Sequence, residues 1–201
     1  MTILESTRLN QEVLKNIQIT SHENSIMKSL EKFYENQDNI LLFIPIVNSE
    51  SKISIRLIDH FVTKFSKANK ISYKLIENGI EQTFNVHTSY KQQLKQFQKK
   101  YFDPFSRGDR IPYFINDICI ITTIGQLNFF KWFINKNIHE YILENHVIIE
   151  NDMNQKNRMI IKNKQTKIHK PKTYIQHSIT PYNSNNLIRP KTDKIIVSFS
   201  F

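Results

Sequence analysis

The sequence predicts an α+β fold: antiparallel hairpins packed with amphipathic helices, plus a basic C-terminal arm that ends in a strand-like segment. Three observations carry this expectation. "ISYKLI" (71–76) and "EQTFNVHT" (81–88) alternate in the strand manner around Asn78-Gly79, a pair that tolerates the positive φ of a two-residue hairpin turn. Apolar residues recur at helical spacing on both sides of that hairpin. No regular strand–helix–strand alternation appears, so the strands should pair antiparallel.

Taken in order, residues 1–37 read as helical, most clearly in "SIMKSLEKFYEN" (25–36), where Ile26, Leu30 and Phe33 share a face. "NILLFIPIVNS" (39–49) reads as an apolar strand or buried extended segment interrupted by Pro45. "ISIRLIDHFVTKF" (53–65) fits an amphipathic helix through Ile55, Leu57, Ile58, Phe61, Val62 and Phe65. After the first hairpin, residues 90–101 place Tyr90, Leu94, Phe97 and Tyr101 on one helical stripe, and Lys91, Lys95 and Lys99 on another. Asp103-Pro104 is expected to end this helix, because proline disfavours helical geometry in the residue before it. Phe102 and Phe105 should plug the break into the core.

A second hairpin is expected from "RIPYFI" (110–115) and "ICIITT" (118–123) around Asn116-Asp117. Two helices then close the body, over 124–134 and 138–153. Thr123-x-x-Gln126 and Asn137-x-x-Glu140 supply cap-like spacing. Leu127, Phe130, Phe133 and Ile134 should face the core, with Trp132 off that face at a boundary or an interface. Ile138, Tyr141, Ile142 and Ile149 should also face inward.

A chain of 201 residues fits one domain with an appendage and can bury a core without staples. The single cysteine, Cys119, excludes an intrachain disulfide or a cysteine cluster, and its apolar setting predicts a buried thiol. No N-terminal signal pattern and no Asn-x-Ser/Thr sequon appears. The longest apolar runs are about half the ~20 residues that a membrane helix needs. The expectation is an intracellular protein with no membrane association. Ile, Asn and Lys total 75 residues, against one alanine and three glycines. That bias points to an A+T-rich genome and weakens any argument from total charge.

The position of the charge is better evidence than its total of +10. Residues 154–201 hold ten bases (Lys156, Arg158, Lys162, Lys164, Lys167, Lys170, Lys172, Arg189, Lys191, Lys194) and one acid, Asp193. The whole chain has 28 bases and 18 acids, so residues 1–153 form a nearly neutral body and 154–201 a basic arm. Such an arm suits nucleic acid or another polyanion; the competing reading is a solvated tail. The arm closes with "DKIIVSFSF" (193–201), an alternation that could return to a sheet edge.

The candidate nucleic-acid contacts are Lys91, Lys95 and Lys99 together with Lys156, Arg158, Lys162, Lys164, Lys167, Lys170 and Lys172. The three lysines of the 91–99 stripe also fit an ordinary solvated helix edge. Nothing points to an enzyme or a cofactor. Three scattered glycines make no phosphate loop, and His139, Glu140 and His146 lack the spacing of a zinc hydrolase. Asp103 and Asp109 are explained by turn chemistry, as is Gly108, and Arg107-Gly108-Asp109 reads as a coincidental tripeptide. A helix-turn-helix mode is rejected, because Glu140, Glu144, Glu150 and Asp152 would face phosphate from the second closing helix.

"FDPFSRGDRI" (102–111) followed by "TTIGQLNFFKWFINKNIHEYI" (122–142) resembles uncharacterised proteins of large nucleocytoplasmic DNA viruses, of mimivirus and iridovirus type. The resemblance transfers no catalytic residue. It implies a viral setting, in the cytoplasm of an infected cell or in the virion. The expected function is non-enzymatic binding of nucleic acid, largely without sequence preference, through the basic arm. The competing expectation is a virion or assembly-scaffold protein whose arm docks on an acidic surface of other virion proteins.

Overall fold

The computed structural model describes residues 3–77, 79–115 and 118–168. Helices α1 (Ile3–Asn16), α2 (Ser21–Tyr34) and α3 (Gln37–Val47) come first. Helix α4 (Ile55–His60) runs through a π-helical turn (Phe61–Phe65) into the short α5 (Ser66–Ala68). The hairpin β1 (Ser72–Glu77) and β2 (Ile80–Asn85) leads into α6 (Val86–Phe97). A second hairpin, β3 (Ile111–Ile115) and β4 (Ile118–Thr122), precedes α7 (Ile124–Asn135), α8 (Ile138–Glu144) and α9 (His146–Ile168). The class is α+β as expected, with two separate antiparallel two-stranded sheets.

Helix α7 is the centre of the body. Ten of its twelve residues are buried, which leaves only Lys131 and Asn135 at its surface. Trp132 is therefore in the core rather than at a boundary: it is 5% exposed and donates from Nε1 to Ser89 Oγ at 3.0 Å. Helices α2, α3 and α8 pack directly on α7. Rings fill the contacts, with Phe130 5.2 Å from Phe43 and Phe102 5.1 Å from Phe129, centre to centre. Thr123 caps α7 as its spacing predicts, accepting from the Gln126 N–H at 3.0 Å.

The first hairpin pairs Ser72 with Asn85 through to Glu77 with Ile80, and Gly79 in its turn has φ +78°. Asn78, Asn116 and Asp117 lie outside the described residues. Strand β2 ends sooner than the alternation suggests, because Asn85 accepts from the Thr88 N–H at 2.9 Å and starts α6. In the second hairpin the inward set is Ile111, Tyr113, Ile115, Ile120 and Thr122. The same alternation turns Cys119 outward, so the expected buried thiol is exposed. Helix α1 covers β3: Asn10 donates to Phe114 O at 2.8 Å and accepts from Phe114 N at 2.7 Å, in the place a neighbouring strand would take.

Three further expectations are corrected. Residues 39–49 are helical, not extended. Asn36 accepts from the Asp38 N–H at 2.9 Å to start α3, and Ile40, Phe43 and Ile46 then share its buried face. Pro45 falls in the last turn of this helix, so it takes the donor from the Leu41 carbonyl only two residues before the helix ends. The closing segment 138–153 is two helices, divided at Asn145, and the second runs on to Ile168, so the charge boundary at Met153 falls inside α9. Asn137 does not cap with its side chain; it takes a left-handed conformation, φ +50°, that turns the chain from α7 into α8.

Candidate nucleic-acid interface

The first half of α9 is fastened to the body. His60, 5% exposed, lies just before the π-helical turn, and its Nε2 is 2.7 Å from Asp152 Oδ2. Lys156 Nζ donates to the same oxygen at 2.8 Å. Burial works to raise the Asp152 carboxyl, but hydrogen bonds from Lys156 and His60 outweigh it and hold the group below its usual range. Lys156, expected to meet a polyanion, is thus paired one turn back along α9 with the carboxylate that holds His60.

Beyond this anchor the helix carries Arg158, Lys162, Lys164 and Lys167 and no acid as far as Ile168. From Asn157 to Lys162 every residue is exposed. At 100° per residue Arg158 and Lys162 lie one turn apart on one side, and positions 164 and 167 one turn apart on another. The acid-free stretch 154–168 is about 22 Å long at 1.5 Å per residue. Lys170, Lys172 and the strand-like 193–201 lie outside the described residues.

Of the lysine stripe, Lys91 and Lys95 are exposed on α6, but Lys99 is not helical. The helix ends at Phe97, and Gln98 has φ +57°, well before Asp103-Pro104. The cause is tertiary. Phe102, 1% exposed, inserts among Tyr90, Phe129 and Trp132, and the chain must leave the helix to bring it there. Residues 100–103 then lie against the start of α7, where a β-carbon on Gly125 would stand 2.7 Å from Lys100 O. Both α6 and α9 pack on the π-helical turn.

The residues that fix this loop were missed in the sequence, although one signal was present. Thr20-x-x-Glu23 is a full capping box, with Glu23 accepting from the Thr20 N–H at 2.9 Å. Glu23 also accepts from Lys100 Nζ and Tyr101 OH, each at 3.0 Å. Burial works to raise its carboxyl, but the bonds from Thr20, Lys100 and Tyr101 together push it down to about 2.

The turn at 103–109 is built around Asp103, which accepts two bonds from Arg107 at 2.8 Å and one from the Phe105 N–H at 3.3 Å. Gly108 has no positive φ, and the exposed Asp109 makes only a 4.0 Å approach to Lys100, so neither has the turn-forming role expected of it. His139 and His146 sit on different helices. Among the described residues no group of three or more His, Cys, Asp or Glu is placed to hold a metal ion, and no helix is long and apolar enough to cross a membrane.

The sequence profile of a family of unknown function, DUF7197, matches residues 6–200. The chain belongs to that family. Its span includes every base of the basic segment as well as nearly all of the body. The chain is also similar to Uncharacterized protein L507 of Acanthamoeba polyphaga mimivirus, 36% identical over 186 residues, which cover 89% of this chain and 71% of that protein. The viral resemblance of 102–111 and 122–142 therefore extends over most of the chain. No solved structure matches this member of the family.

Proposed function

We propose that this protein binds nucleic acid without enzymatic activity and largely without sequence preference, in the infected-cell cytoplasm or the virion. One observation carries the reading. The body anchors the first half of α9 through His60 and Asp152, and the sequence of the following helical segment holds Arg158, Lys162, Lys164 and Lys167 with no acid among them. A helix held at one end and cationic at the other can lie along a phosphate backbone. Lys91 and Lys95 are candidates to extend the contact.

Binding to double-stranded DNA and to RNA, measured across a salt series, tests this. Log K should fall with log salt by roughly 0.7–0.9 per phosphate contact. Replacing Arg158, Lys162, Lys164 and Lys167 by Gln should flatten the slope by about 3 if all four meet phosphates. Unrelated sequences should bind alike. A parent protein that binds neither at ~50 mM salt overturns the reading.

A second reading has its own support. Met159, Ile160 and Ile161 are 54%, 45% and 56% exposed between the bases. Exposed apolar residues suit a protein partner with an acidic, partly apolar surface, as a virion or assembly scaffold would offer. Association with a virion protein that persists in high salt, while nucleic acid does not bind, selects that alternative.

A further inference from the structure

Apart from Gln126, which bonds Thr122 and Pro104 O at the start of the helix, the polar residues of α7 lie along one row. Asn128, Lys131 and Asn135 fall at i, i+3 and i+7, and so on one side of the helix. Facing them, α2 presents His22, Ser25 and Ser29 at the same spacing, and α6 contributes Gln93 and Gln96. The three helices line an open cleft of about 740 Å³. That size lies within the roughly 300–1,000 Å³ of small-molecule sites.

The charges in the cleft do not balance. Lys136 forms an ion pair with Glu77 at one part of its wall. Lys131 is half-buried, yet its Nζ meets only neutral groups: Ser29 O at 3.1 Å, Ser29 Oγ, and the Phe33 ring at 6.0 Å. No carboxylate among the described residues pairs with it. Burial lowers its pKa. Lys100 and Lys156, by contrast, are each within 3.0 Å of a carboxylate oxygen. A partly desolvated ammonium without a counter-charge is costly, and a ligand that supplies the anion offsets the cost.

The rest of the lining is neutral and can both donate and accept. The side-chain amides of Gln93 and Gln96 make no hydrogen bond among the described residues. Asn128, also in the lining, donates to Tyr101 O at 2.9 Å and retains its Oδ1 as an acceptor. Serine hydroxyls beside a lysine suit phosphate oxygens, and side-chain amides suit the polar edge of a base.

We propose that the α2–α6–α7 cleft binds a mononucleotide, with its phosphate on Lys131 and the α2 serines and its base edge on the α6 and α7 amides. The site is separate from α9, so it stands or falls independently of polymer binding.

Calorimetry and thermal melts with AMP, GMP, CMP and UMP, each beside its nucleoside, provide the test. At least one nucleotide should bind and raise the melting temperature, and its nucleoside should bind at least ~10-fold more weakly. Lys131→Met should remove that preference while leaving the unliganded protein as stable as the parent or more so, since it deletes an uncompensated charge. Ser25→Asp, which places an anion in the cleft by another route, should abolish nucleotide binding even if Lys131→Met fails to fold. The four-base α9 variant should bind the nucleotide as the parent does. No binding of any nucleotide, equal binding of nucleosides, or unchanged binding by Ser25→Asp would each overturn the proposal.

Discussion

Glu23→Gln removes one charge from a nearly buried site without changing its shape. Glu23 is 9% exposed and accepts from Thr20, Lys100 and Tyr101. A glutamine keeps one acceptor oxygen but turns an NH₂ group toward donors, so at least one bond becomes a clash of donors. Its carboxyl is pushed down to about 2 from a reference of 4.5. At 1.36 kcal/mol per pKa unit, that depression corresponds to about 3 kcal/mol in favour of the ionised form. Lys100 is half-exposed, so screening reduces the measurable loss to about 2–3 kcal/mol, or roughly 4–12 °C in melting temperature for a chain of this size. The sign follows from the depressed folded-state value. The stabilisation is complete above 4.5 and is lost as pH falls toward 2. Urea unfolding of the parent and Glu23→Gln at pH 7 and at pH 3 measures it. The gap between the two proteins should shrink by more than half at the lower pH. A gap that stays constant across that range would show that the charge of Glu23 does not hold α2 to the 98–101 loop.

Two further predictions concern α7. Gly125→Ala gains about 1 kcal/mol of helix propensity but drives a β-carbon to 2.7 Å from Lys100 O, an overpacking cost of about 1–3 kcal/mol. The net should be a loss of about 1 kcal/mol, seen as a lower melting temperature; a rise would contradict the close approach of residues 100–102 to α7. Phe130→Ala empties a fully buried site against Phe43, Phe129 and Phe133 and should cost about 3–5 kcal/mol. A loss under ~1 kcal/mol in urea titration would mean that α7 is not central.

What the sequence by itself determined lies in near neighbours. Asn78-Gly79 between alternating runs marks the first hairpin, and the register of β1 with β2 follows from that turn. Thr123 and the unbroken apolar run after it mark α7, and the loss of acids after Asp152 marks the basic segment. These signals are local because caps, turns and charge runs act over a few residues. "ILLFIPIV" has no period that separates helix from strand, so its packing in α3 against α2 and α7 decided the matter. The lysine spacing at 91, 95 and 99 continues past the end of α6, because the burial of Phe102 and the missing side chain of Gly125 pull the chain off the helix. The row Asn128, Lys131, Asn135 can be read as polar positions on an apolar helix. That it faces a cleft rather than open solvent depends on α2 and α6, which lie tens of residues away in the chain. Periodicity says which residues share a face, and only the partner elements settle what that face meets.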